Sequence, residues 1–134
     1  MSDSPTAELL ASMPFAASFG IEVLEATKQQ VRARLAWRPE LCTTNGILHG
    51  GALMTFADTI GAACAFLNLP PGAGTGTIQS ATNFLRAVRD GHVTAVATPI
   101  HVGRSTIVVR TDLTDAAGKP VATTMQTQAV LTTG

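Results

Sequence analysis

The sequence of 134 residues predicts an α+β fold in which an antiparallel sheet curls around one buried central helix. Three observations carry that prediction. Residues 52–67 are apolar or small on nearly every face and stop at Asn68-Leu-Pro-Pro-Gly72, as a helix covered on all sides would. Strand-like runs rich in Val, Ile and Thr follow at about 75–88, 92–102, 105–115 and 120–132, separated by turn residues. The length suits one domain, so these elements must share a core; one strand, a helix and four more strands make a sheet wrapped on that helix.

Taken in order, residues 1–19 read as a short helical arm (Thr6-Ala-Glu-Leu-Leu-Ala-Ser-Met13) ending near Pro14, and residues 20–134 as a single domain. In residues 31–37, Val31, Ala33, Leu35 and Trp37 alternate with Arg32, Arg34 and Ala36, the pattern of a half-buried strand. Turn-like residues 38–46 lead into the helix. A membrane span is a poor account of that helix, because the run is shorter than the roughly 20 residues a bilayer requires and carries Asp58. Gly72-Ala-Gly-Thr-Gly76 follows a helix instead of a strand and lacks a phosphate-loop lysine, so it reads as a connector. The turns Arg89-Asp-Gly91, Gly103 and Asp115-Ala-Ala-Gly-Lys-Pro120 separate the later strands, two of them tightly enough for antiparallel neighbours.

Lys and Arg number 9, as do Asp and Glu, so no net charge draws nucleic acid or an anionic membrane. With 46% hydrophobic and 13% charged residues, against about 25% charged in a typical domain, the expected state is an oligomer. Cys42 and Cys64 form no CxxC or disulfide framework, and the N-terminus has no basic region followed by an apolar run; a reducing, cytoplasmic setting is expected. His92 and His101 have no metal-ligand spacing and no GxSxG is present, so neither a metal nor a serine nucleophile is implied.

Asp58 is the one charged side chain inside the apolar helix, and a charge there must be neutralised, paired or set at a water-accessible seam. A structural role, in an ion pair with Arg86 or in hydrogen bonds, competes with a chemical one. His49-Gly50-Gly51 stands where the helix begins, so unpaired N–H groups and the positive end of the helix dipole meet glycines that permit close approach. That suits an oxyanion or a polarised carbonyl, although the same residues would serve simply to start a helix. Eight helical residues rise about 12 Å, so Gly50 and Asp58 of one chain cannot meet on one small carbonyl. If they act together, a second subunit related by a twofold axis must supply one of them.

The segment Asn45-Gly-Ile-Leu-His-Gly-Gly-Ala-Leu-Met-Thr-Phe-Ala-Asp58, with Thr77-Ile-Gln-Ser-Ala-Thr-Asn-Phe-Leu-Arg86 and the Val102-Gly-Arg-Ser105 turn, resembles the phenylacetate-degradation (PaaI-like) thioesterases of the hotdog-fold superfamily. The likeness extends from about residue 20 over most of the chain. It implies hydrolysis of an acyl-coenzyme A thioester with no cofactor, in a homodimer paired through its sheets and commonly doubled to a homotetramer. It further implies that the Gly50 N–H holds the thioester carbonyl, that His49 shapes that site, that Asp58 is the base or nucleophile, and that Thr77 offers a hydroxyl near the attacking water. Asn45, Gly51, Arg86, Gly103, Arg104 and Ser105 would contact substrate, the arginines at the phosphates of coenzyme A, while Met54, Phe56 and Ile60 would line an acyl pocket. One departure stands out: the family frequently has an amide six residues before the histidine, where this chain has Thr43, and Asn45 is the nearest substitute. Two other functions suit the same fold, an acyl-thioester hydratase or dehydratase and a non-catalytic acyl-CoA-binding protein.

Overall fold

A single antiparallel sheet wraps the central helix in the computed structural model, which describes residue 8 and residues 10–132. The elements are α1 (Pro14–Ser18), β1 (Glu22–Ala26), β2 (Val31–Ala36), 3-10 turns at Pro39–Leu41 and Thr44–Gly46, α2 (Gly50–Leu67), β3 (Gly74–Phe84), β4 (His92–Val102), β5 (Thr106–Asp115) and β6 (Pro120–Leu131). Strand order is β1-β2-β4-β5-β6-β3, so β1 and β3 are the edges. The architecture is the predicted one, with corrections. The sheet has six strands, not five: β1 is short, half exposed and interrupted by a bulge between Val23 and Glu25, which erases the alternation that would reveal it. β3 ends at Phe84, short of residue 88, because the next two N–H groups, of Leu85 and Arg86, both turn to the Val121 carbonyl. Of the predicted arm, residues 1–7 and 9 lie outside the described residues; Glu8, Leu10 and Ala11 are helical, that helix ends before Pro14 as expected, and Pro14 then opens a second short helix, as proline in a first turn can.

The helix is buried because its apolar residues occupy most of its circumference. Phe56 and Ile60, one turn apart, are fully buried against Leu35, Val31, Val93, Ile107, Val109, Leu113 and Val121 from the strands. They are therefore core residues and not the acyl-pocket lining expected of them; of that trio only Met54 is exposed. By length and composition α2 would also suit a membrane span, but the sheet supplies the cover that a bilayer otherwise would.

Between α2 and the β6–β3 side of the sheet the interior turns polar. Thr124, Gln126 and Gln128 point inward from β6 and Thr111 from β5, all buried. Thr82 and Thr124 share a hydroxyl hydrogen bond of 2.8 Å. Thr111 Oγ1 and Gln126 Oε1 have no hydrogen-bond partner among the described residues, a deficit of about 1–3 kcal/mol for each such group. A bulge between Thr77 and Gln79 bends β3 beside this strip.

Cys64 is fully buried on α2, and burial pushes its thiol from about 9.0 up to about 11. The neutral form is the one the fold favours, so Cys64 contributes stability below pH 9 that is lost as pH rises towards 11. In the folded protein at pH 8 a thiol reagent is expected to label the partly exposed Cys42 and to reach Cys64 only on unfolding, as mass spectrometry of the labelled peptides would record.

Candidate active site

Asp58 projects from α2 towards the edge strand β3 and is exposed, which answers the cost of a charge on an apolar helix by leaving it at a wet seam. Its Oδ1 accepts two hydrogen bonds, from Thr77 Oγ1 and from Gln126 Nε2, each 2.9 Å. The chain of donors continues from Thr77 to the buried Gln128 of β6. Gln128 Nε2 donates to Thr77 Oγ1 at 2.6 Å, and Gln128 Oε1 accepts from Thr75 Oγ1 at 3.0 Å. Because Gln128 presents a donor to the Thr77 oxygen, the single Thr77 proton is left for Asp58. No hydrogen bond from the described residues reaches Asp58 Oδ2. Asp58 lines an open depression of about 310 Å³ with Met54, Thr55, Thr77 and Ser80. The ion pair with Arg86 that the sequence allowed does not form; the ion pairs among the described residues are Arg32–Glu25 and Arg110–Asp112.

His49 is the N-cap of α2, and its extended backbone (φ −63°, ψ 136°) lets the imidazole fold back so that Nδ1 accepts the Gly51 N–H at 2.7 Å. A neutral ring then carries its proton on Nε2. A Cβ on residue 51 would come within 3.0 Å of that Nδ1, so Gly51 makes room for the cap. The N–H groups of Ala52 and Leu53 turn to the His49 carbonyl at 2.9 and 3.1 Å. That leaves the Gly50 N–H without a partner among the described residues, at the positive end of an 18-residue helix. Gly51, by contrast, has no N–H left for a substrate.

Gly50 lines a second depression, of about 400 Å³, with Thr43, Leu53, Phe84 and Arg86. The Phe84 ring lies 3.4 Å from where a Gly50 Cβ would stand. Within one chain, then, Asp58 and Gly50 belong to different depressions, and Thr77 joins the first and Arg86 the second. The remaining candidates are brought to neither. Asn45 is exposed and left-handed (φ 66°, ψ 25°) in a 3-10 turn and lines neither depression, whereas Thr43, where the family amide is missing, lines the Gly50 depression. Gly103, Arg104 and Ser105 form the β4–β5 connection, where the Gly103 N–H donates to Thr106 and the Ser105 carbonyl accepts from Val130.

Sequence reasoning missed Gln126, Gln128 and Thr75. The available signal was the run Thr124, Gln126, Gln128, alternate residues of one strand whose polar face turns inward. Among the described residues no group of three or more His, Cys, Asp or Glu side chains is arranged to hold a metal ion.

Comparison with known proteins gives consistent results. The sequence pattern of the Thioesterase superfamily matches residues 45–122, which include His49, Asp58 and Thr77. A Mycobacterium tuberculosis protein named as an esterase is 31% identical over 123 residues, covering 90% of this chain and 87% of its own. A thioesterase of Haemophilus influenzae superposes with a TM-score of 0.90 at 28% identity, over 98% of this chain and 93% of its own. The 1,4-dihydroxy-2-naphthoyl-CoA hydrolase of Escherichia coli is 29% identical over 86 residues, covering 64% of this chain and 63% of its own.

The cap geometry yields a stability prediction that is independent of the chemistry. His49→Ala removes the acceptor for the Gly51 N–H and is expected to cost about 1 kcal/mol in a denaturant titration. Arg104→Ala, at an exposed position, is expected to change stability by less than about 0.5 kcal/mol.

Proposed function

Since the chain belongs to the thioesterase superfamily and is a thioester hydrolase by that membership, we propose that it cleaves acyl-coenzyme A thioesters to a free acid and coenzyme A. The observation that carries this reading is the state of Asp58. It is a carboxylate on an otherwise apolar helix, anchored through Oδ1 with Oδ2 unengaged among the described residues, and it lines an open depression. The name of the Escherichia coli relative, a hydrolase of an aromatic acyl-CoA, supports coenzyme A as the thiol.

In this reaction the Gly50 N–H polarises the thioester carbonyl and holds the oxyanion. Asp58 Oδ2 takes a proton from water as the water oxygen bonds to the carbonyl carbon, or attacks that carbon itself and is released by water afterwards. Collapse of the tetrahedral species breaks the C–S bond, and the departing thiolate takes up a proton. His49, with Nδ1 committed to Gly51, keeps the helix start rigid. Arg86, beside Gly50, is the arginine whose position supports a contact with coenzyme A phosphates.

The two groups reach one carbonyl across a dimer. β3 is an edge strand with β6 on one side only. Its Thr77 lies by Asp58 and its Phe84 by Gly50, so it runs antiparallel to α2 alongside both depressions. A second copy added to that edge about a twofold axis would bring the Asp58 half of one chain to the Gly50 half of the other, twice per dimer.

Thiol release from a panel of short, medium, long and aromatic acyl-CoAs tests the reading. Asp58→Asn is expected to fold normally and to lose about 10²-fold or more in kcat; near wild-type turnover would remove Asp58 from the mechanism. Complementation tests the sharing. Gly50→Pro deletes the N–H at the first helical position, where proline is tolerated. Each homodimer, Asp58→Asn or Gly50→Pro, should be inactive, whereas co-expressed heterodimers should recover up to half of the wild-type activity, because one site carries both lesions and the other neither. Inactive heterodimers of folded variants would exclude the sharing and, because one chain cannot bring the two groups to one carbonyl, would end the Gly50–Asp58 pairing.

A further inference from the structure

We propose that Gly61 and Gln126 form a matched pair that positions Asp58, the absent side chain at residue 61 making the room in which the Gln126 amide stands. The proposal rests on the reading of Asp58 given above and extends it to two residues that do not touch substrate. Gln126 is fully buried on β6, between Val109 of β5 and Ser80 of β3 in the sheet register. Its Nε2 donates to Asp58 Oδ1 at 2.9 Å. The amide cannot be turned over, because that would set its carbonyl oxygen against a carboxylate, two acceptors face to face. The orientation that serves Asp58 therefore leaves Gln126 Oε1 directed at α2 with no partner among the described residues.

What it meets there is Gly61. A Cβ on residue 61 would overlap the Gln126 carbonyl and stand 3.3 Å from Thr111 Oγ1. Glycine is unfavourable inside a helix, yet here it sits well within α2 and is buried. The orphaned acceptor and the interior glycine are two separate costs, and one arrangement accounts for both: a buried amide held with its donor on the carboxylate. Thr77 secures the same oxygen from the other side, so Asp58 is gripped at Oδ1 by β3 and β6 together and Oδ2 is held in a fixed direction.

The test is a double-mutant cycle read by steady-state kinetics on the acyl-CoA that wild type turns over best, with folding checked by circular dichroism and thermal melting. Gly61→Ala, which leaves every polar group present, is expected to lower kcat by about 10-fold or more with KM within about twofold, since a misdirected catalytic group loses rate and not binding. Gln126→Ala should do the same. The double variant should be no slower than Gln126→Ala alone, because with the amide gone the methyl at 61 has nothing to displace. Should Gln126→Ala fail to fold, Gln126→Ser also clears the space and takes its place in the cycle. Thr111→Val, which removes the neighbouring orphaned hydroxyl, should leave kcat unchanged. Losses that add in the double variant, or that appear equally in Thr111→Val, would reduce the pair to packing and overturn the proposal. An inactive Asp58→Asn beside a fully active Gly61→Ala or Gln126→Ala overturns the positioning alone; a fully active Asp58→Asn overturns the reading beneath it and the proposal together.

Discussion

The structure depends on one constraint: a helix that is apolar around most of its circumference has to be covered, yet it carries a carboxylate that must not be. A single twisted sheet meets both demands by wrapping α2 from β2 round to β6 and ending at β3, beside Asp58. On the covered side the contacts are Phe56, Ile60 and the aliphatic side chains of four strands. Towards the seam they become threonine and glutamine, side chains that pack in a strand and still offer donors. The polar strip is thus a graded boundary between a dry core and a charged edge. Its cost is visible in the oxygens of Thr111 and Gln126, which find no hydrogen-bond partner among the described residues.

Three glycines of α2 each leave room for a different neighbour. Gly50 lies against the Phe84 ring, Gly51 under the His49 imidazole and Gly61 under the Gln126 amide. Each lowers helix propensity, by about 1 kcal/mol relative to alanine at an interior position. The segment is helical because the sheet around it rewards the buried face. The same arrangement explains why the two N–H groups of the His-Gly-Gly start have different fates: the cap consumes that of Gly51 and leaves that of Gly50.

Much of this was legible in the sequence for physical reasons. The central helix shows because apolar residues run without a polar face until Asn68, and β4, β5 and β6 show because period-two runs end at glycine-bearing turns. Asp58 and His49-Gly50 stand out as the polar exceptions at the helix. β1 does not show, because five half-exposed residues with a bulge carry no readable period. The inward face of β3 is hidden for a related reason: the bulge at Thr77/Gln79 changes the phase, so Thr75 and Thr77 face inward before it while Ser80 and Thr82 do so after it. Gln126 is a harder case. A glutamine in a Thr-rich strand reads as surface, and only the fold, by turning that face towards Asp58, reveals it as the buried donor. Asn45 is the opposite case, an amide near the motif in sequence that a left-handed turn holds at the surface, lining neither depression of its own chain.

The close fit at Gly61 also bears on how such a chain can change over generations. Positions 61 and 126 are far apart in sequence but compete for one volume, so what can be gained at one depends on the residue at the other. A side chain can arrive at 61 only after the residue at 126 has become smaller, and a glutamine can arrive at 126 only where 61 is already glycine. Both routes pass through glycine at 61 with a smaller residue at 126, so any exchange between the two pairings must cross a state in which Asp58 lacks the glutamine donor while the sheet and helix are kept.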